Sequence, residues 1–216
     1  MSQPLLKLCG NHSLNDVEVS FGSSADYVGF VFAKSKRQVT RGQIAEWLQH
    51  HEPTQKKLVA LFVNASTDEI VEAVSSLPIS IIQCHGNESP SQISEIKERL
   101  NIPVWKVIHH SEDGSLVMQS YENIADGYIV DCKVGKQWGG TGVSFDWTYV
   151  PTYMEEGQRQ NVPVFIAGGI RPDNIADLLV YQPDGIDVSS GIEDNGLKSR
   201  KLVRELEERM RNNATR

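Results

Sequence analysis

The chain has 216 residues, 39% of them hydrophobic and 23% charged, which makes one large or two small domains of ordinary globular composition. A net charge of −7 and a pI near 5.4 argue against nucleic acid or an anionic membrane as a general partner, and no apolar run reaches the roughly 18 residues that a bilayer span needs. Cys9, Cys84 and Cys132 lack a CxxC spacing and fit neither a disulfide framework nor a zinc site; with no secretory leader legible in MSQPLLKLCG, a reducing cytoplasm is the expected compartment.

Short apolar runs alternate with helical patterns along the chain. Strands are expected over residues 4–9, 25–32, 57–63, 79–85, 103–109, 128–131, 162–168 and 185–189. Between them, Ser13 with Asp16, Thr40 with Gln43, Ser66 with Glu69, and Ser89 with Gln92 have the spacing of helix N-caps, the last with Pro90 at the first helical position. A weaker helix is expected over 116–123, another from Ser144, one carrying Ile175, Leu178 and Leu179, and a last one over 198–212, where Leu202, Leu206 and Met210 share a face. The runs are apolar throughout rather than alternating, as in a parallel sheet covered by helices. Eight strand–helix units with short connections and no linker predict a single-domain (β/α)8 TIM barrel over residues 1–216. An open doubly wound sheet is disfavoured because no GxGxxG follows the first strand.

In such a barrel the chemistry sits where the strands end. Those ends carry Cys9, Phe32, Val63, His85, His109, Asp131, Gly168 and Ser189. Asp131 closes the sixth strand and empties into a glycine-rich segment, 135–142, suited to act as a lid. Alternation puts Cys84 and Cys132 on the opposite face from their neighbours, as packing residues. Cys9 shares its side with Lys7, which either favours a thiolate or pairs with a carboxylate inside the barrel. Gly168-Gly169 and Ser189-Ser190-Gly191 offer close backbone approach and donors for a phosphate, with Arg171 adding charge. Arg37, in the turn Lys34-Ser35-Lys36-Arg37, suits bidentate capture of a carboxylate, and His85 and His109 are either acid–base groups or hydrogen-bonded rim residues. No HExxH, acidic cluster or EF-hand loop is present, so neither metal nor cofactor is expected.

The segments KLCG (7–10), GFVFAKSKR (29–37), QCHGNE (83–88), VDCKVGKQWGGTGVSFDW (130–147), IAGGIRPDN (166–174) and GIDVSSGIE (185–193) together resemble phosphoribosylanthranilate isomerase, a (β/α)8-barrel family of tryptophan biosynthesis. The likeness runs in order along nearly the whole chain. It implies Cys9 as general base and Asp131 as general acid, with substrate held by Arg37, Gln83, His85, Gly169, Ser190 and Gly191, Arg37 on the anthranilate carboxylate and the two loops on the phosphate. It also implies an Amadori rearrangement of an aminoaldose to an aminoketose, a monomer, and a small phosphosugar–anthranilate substrate as sole partner. Asn11-His12, Cys84 and Arg171 depart from the family's usual residues. A free Asp titrates near ~3.9 and a free Cys near ~8.5, so the site is expected to raise the first and help ionise the second. The histidine-pathway aminoaldose isomerase is disfavoured because it pairs two aspartates, and a non-catalytic phosphate-binding barrel because both Cys9 and Asp131 are present.

Overall fold

In the computed structural model, odd-numbered side chains of the main strands point into a closed barrel and even-numbered ones point at the surrounding helices. The structure describes residues 3–51, 55–132 and 145–214. Its strands are β1 (Leu5–Leu8), β2 (Tyr27–Val31), β3 (Lys57–Phe62), β4 (Ile79–Cys84), β5 (Val104–His109), β6 (Gly127–Asp131), β7 (Val164–Ala167) and β8 (Gly185–Val188), each parallel to the next, with β8 returning to β1. The helices alternate with them: α1 (Leu14–Phe21), α2 (Arg41–His50), α3 (Thr67–Val74), α4 (Pro90–Leu100), α5 (Gly114–Gln119), α6 (Val150–Gln160), α7 (Ile175–Leu179) and α8 (Arg200–Ala214). A two-stranded hairpin, β9 (Glu193–Asp194) with β10 (Leu197–Lys198), stands between β8 and α8.

Cα partners across the seams are odd with odd, from Lys7 with Tyr27 round to Lys7 with Asp187, so the parity survives closure. The exception is Ile79, opposite Leu58 at a register shift, and it packs among the helix-facing residues. The barrel floor is a buried plug of Tyr27, Val59, Ile81, Trp105, Val107, Ile129, Phe165 and Ala167. Its rings pack edge-on or tilted, Trp105 and Phe165 4.8 Å apart and Tyr27 and Trp105 5.0 Å apart. Outside the strands, Leu8, Val28, Phe30, Ala60, Ile82, Val130, Ile166 and Ile186 pack against the helices with no exposed surface. Each large apolar side chain so buried contributes about 1.5–3 kcal/mol.

The helix starts follow the caps, with one difference. Ser13, Thr40, Ser66 and Ser89 each accept from the backbone N–H three residues on, and Thr40–Gln43 and Ser66–Glu69 are reciprocal boxes. Gln92 instead donates to the Ala65 carbonyl at 2.8 Å, so its side chain ties α4 to the β3–α3 loop rather than closing a box on Ser89. Helix α5 begins earlier than its apolar pattern, at Gly114. The start at Ser144 lies outside the described residues; beyond it come a 3-10 turn, Trp147–Tyr149, and then α6 with Pro151 in its first turn. Among the described residues no helix is long and apolar enough to cross a membrane.

One charge faces the helix side. Lys106, even-numbered on β5, donates to the Gly86 carbonyl at 2.7 Å and to Glu88 at 3.1 Å, while Glu88 accepts from the backbone N–H groups of Asn64 and Gly86. This buried carboxylate fastens the loops after β3 and β4, next to His85. Replacing one partner of a buried pair strands the other without solvent. Glu88→Ala should therefore lower the unfolding free energy by about 3–5 kcal/mol, measured by urea denaturation.

Candidate active site

At the carboxyl ends of the strands the odd-numbered positions turn polar. They line a cavity of about 710 Å³ whose walls include Cys9, Arg37, Gln83, His85, Asp131, Asp187, Gly169, Ser190 and Gly191. The eight residues that the resemblance implies for catalysis or binding all line this one cavity, whereas Arg171 and His109 are not among its walls. Each of the eight sits at a strand end or in the loop beyond it.

At the base of the cavity, where Asp187 forms part of the wall, is the ion pair that the sequence left as one of two roles for Lys7. Its ammonium, with no exposed surface, donates to both oxygens of Asp187 at 2.9 and 3.0 Å. Burial opposes that charge most strongly, yet Asp187 and Cys9 together outweigh it and the Lys7 pKa lies above its ordinary value. Asp187 was not singled out from sequence, although it stands two residues before Ser189 and so shares its face. Cys9 lies over Lys7, its backbone N–H bonded to the Val188 carbonyl, in space left by Gly29, where a Cβ would come within 2.9 Å of Sγ. The expectation that the site helps ionise Cys9 does not hold for the thiol as it stands. Burial pushes its pKa up, and the pull of Lys7 and Lys198 in the other direction is smaller.

Asp131 is 4% exposed; His85 Nε2 lies 3.4 Å from its Oδ2 without hydrogen-bond geometry, and Oδ1 has no hydrogen-bond partner among the described residues. Gln83 Oε1 is likewise unpartnered, so two buried acceptors face the cavity. Such atoms are costly unless a ligand or water meets them. Cys84 and Cys132 face the helices as alternation requires, and burial drives Cys84 up to about 12. The 135–142 segment, expected as a lid, lies outside the described residues.

Two loops form the opposite wall. Gly168 and Gly169 both have positive φ, 89° and 65°, and turn the chain after β7 towards the cavity. After β8, Ser190–Ile192 makes one 3-10 turn, and a Cβ on Gly191 would run into the Ile170 carbonyl, so the two loops touch. Arg171 does not join them: its guanidinium, about half exposed, turns to Asp173 at 3.0 Å. Asn11, one of the departures from the family pattern, is buried and bridges the Leu8 and Gly29 carbonyls at 2.9 and 3.0 Å, bracing the turn after Cys9.

Arg37 reaches in as expected but already holds a carboxylate of the protein. Its Nε and Nη2 donate to the two oxygens of Glu193, both at 2.7 Å, and Lys198 Nζ donates to Glu193 at 3.1 Å. Burial works against the Glu193 charge, but Arg37 and Lys198 overcome it and hold the carboxyl below its usual range. Glu193 closes the motif GIDVSSGIE, yet nothing in the sequence marks it as the partner of an arginine 156 positions away; Lys198 gave no signal at all.

Together, barrel and rim define a (β/α)8-barrel protein with acid–base side chains facing a polar cavity at the carboxyl ends of its strands. The family model for N-(5'-phosphoribosyl)anthranilate isomerase matches residues 6–209. The isomerase of Halalkalibacterium halodurans is 54% identical over 208 residues, covering 96% of this chain and 95% of that one. Among solved structures, the isomerase of Thermotoga maritima superposes with a TM-score of 0.83 at 28% identity, over 97% of this chain and 99% of the other. That enzyme is dimeric. An isomerase in complex with reduced 1-(o-carboxyphenylamino)-1-deoxyribulose 5-phosphate gives a TM-score of 0.80 at 27% identity, again over 97% and 99% of the two chains. The chain belongs to the N-(5'-phosphoribosyl)anthranilate isomerase family.

His109 supplies a test of the rim's electrostatics. Burial, followed by the neighbouring His85, lowers its pKa from 6.5 to about 4, against the pull of Asp131. It is then neutral at pH 7, while the unfolded chain takes up a proton near 6.5. Stability should fall as pH drops from about 6.5 to about 4, because the unfolded state binds the extra proton there. NMR titration of the imidazole should give a midpoint near 4, and His109→Gln should flatten the stability slope in that window.

Proposed function

We propose that the protein isomerises N-(5'-phosphoribosyl)anthranilate to 1-(2-carboxyphenylamino)-1-deoxyribulose 5-phosphate in tryptophan biosynthesis. The observation carrying this reading is the convergence of Cys9 and Asp131 on one cavity, with an arginine and two glycine-bearing loops on its other walls. Family membership supports the reaction; the residue roles are those the resemblance implies, and the shared cavity gives these residues room to perform them.

The chemistry follows from what each group can give or take. Asp131, in its protonated form, gives its proton to the furanose ring oxygen; the ring C–O bond breaks and a Schiff-base cation forms. Cys9, as thiolate, then removes the C2′ proton, and the electron pair neutralises the iminium to leave an enolamine, which tautomerises to the ketone. A site with thiol plus carboxylate has the same net charge as one with thiolate plus carboxylic acid, so a single proton moved between Cys9 and Asp131 prepares both. Burial holds Cys9 as the thiol at rest; once its proton has passed to Asp131, Lys7 and Lys198, and then the cation formed on ring opening, stabilise the thiolate until it takes the C2′ proton. A single positioned acid or base contributes about 10²–10⁴ in rate.

Binding divides along the cavity. Gly169, Ser190 and Gly191 take the phosphate on backbone N–H groups and a hydroxyl, Arg37 takes the ring carboxylate, and Gln83 and His85 meet the ribose hydroxyls between them. In this reading the protein works in the cytoplasm as a monomer.

Mixing the purified protein with phosphoribosylanthranilate should quench the anthranilate fluorescence. Asp131→Asn and Cys9→Ser should each lower kcat by about 10²–10⁴ with an unchanged circular dichroism spectrum. Arg37→Ala should act mainly by raising KM. Near wild-type turnover in any of these would remove that residue from its role. Light scattering on the eluting protein should give the mass of one chain, 24.1 kDa; twice that mass would assign a dimer.

A further inference from the structure

Arg37 carries five N–H donors on two usable edges: a side edge of Nε and Nη2, and an end edge of Nη1 and Nη2. Glu193 occupies the side edge completely, with Nε and Nη2 each 2.7 Å from one of its oxygens. Glu193 stands behind the arginine, while Arg37 itself lines the cavity. Its anchorage is unusual for a loop residue. Glu193 opens the β9–β10 hairpin, and Lys198 from the other strand is buried against it, donating both to Glu193 and to the Ser189 carbonyl at 3.1 Å. Ser189 leads directly into the Ser190–Ile192 turn. On the far side the Arg37 stem passes over Gly10, whose φ is +76° and where a Cβ would run into Arg37 Cδ. The guanidinium is thus fixed in rotation by Glu193 and in position by the backbone beside Cys9.

We propose that Glu193 is a positioning residue that sets substrate specificity: it locks Arg37 so that only the Nη1–Nη2 edge is presented, selecting substrates whose aromatic ring carries a carboxylate that can meet that edge head-on. The inference rests on the assignment of the ring carboxylate to Arg37 and adds the residue that makes that arginine directional. A free arginine on a surface turn swings through many rotamers and loses that freedom on binding; one already ordered by a buried carboxylate does not. Lys198 adds a second consequence. Through Glu193 and the Ser189 carbonyl it joins the carboxylate grip to the adjoining Ser190–Ile192 turn, so one hairpin holds both in register.

The test compares two substrates on three proteins. Wild type, Glu193→Gln and Glu193→Asp are assayed with phosphoribosylanthranilate and with the analogue in which aniline replaces anthranilate, recording kcat and KM separately. Glu193→Gln should raise KM for the carboxylated substrate about tenfold or more while leaving kcat within about threefold, and should leave KM for the aniline analogue unchanged. Glu193→Asp keeps the charge and a shortened reach, so it should recover part of the lost selectivity; it also serves if the glutamine variant fails to fold. Equal losses on both substrates, or a loss in kcat alone, would make Glu193 a structural residue and overturn the proposal. If wild type itself does not distinguish the two substrates, the carboxylate reading of Arg37 falls instead, and the positioning role with it.

Discussion

A lysine and an aspartate meet where β8 closes on β1, above an aromatic floor and at the base of the cavity, both buried. The pair's cost is tolerable only because both carboxylate oxygens face the ammonium. It stands at the seam on which ring closure depends, and Cys9 rests directly above it. The base proposed for the reaction therefore has a fixed positive charge beneath it whose own partner is already satisfied. That arrangement leaves Cys9 a thiol at rest, and in the proposed reaction its thiolate would stand beside Lys7, Lys198 and the substrate cation. A buried pair that does little for stability can still define the electrostatic floor of a site.

The second charged cluster works in another way. Arg37, Glu193 and Lys198 come from two distant stretches of chain and form a bracket around the mouth rather than a floor beneath it. The hairpin that supplies two of them interrupts the strand–helix alternation after β8, and its placement explains why the chain makes that detour. Between these clusters the cavity contains unmet acceptors on Asp131 and Gln83, while His109 is held neutral nearby.

Much of this was legible in the sequence because the fold's rule is arithmetic. Eight apolar runs with capped helices between them specify the barrel, and the last odd position of each run names the rim: Cys9, His85, His109, Asp131 and Ser189. Glycines with positive φ after β7 were readable for the same reason, since GG at a strand end has few other uses. Pairings between distant segments were not legible. Asp187 sits inside an apolar run where a carboxylate looks anomalous until Lys7 is opposite it, and Lys7 alone allowed two roles. Glu193, Lys198 and Glu88 act through ion pairs whose partners no local pattern reveals. Arg171 misled in the converse direction: a basic residue next to a phosphate-type loop, it spends its charge on Asp173 two positions away. The sense of the Cys9 shift was missed because depth, which decides it, is not written in the neighbouring residues.

The parity of the barrel has a consequence for how this chain can vary. Substitutions alter one lining position at a time and leave the rest of the ring facing the same way. Losing or gaining a single residue inside β1, β6 or β8 does something different: it turns that staff of the barrel by half a revolution, putting Leu8, Val130 or Val188 where Cys9, Asp131 or Ser189 had been. Length changes are therefore confined to the connections, and the chemistry of such a protein can be rewritten letter by letter but not re-spaced.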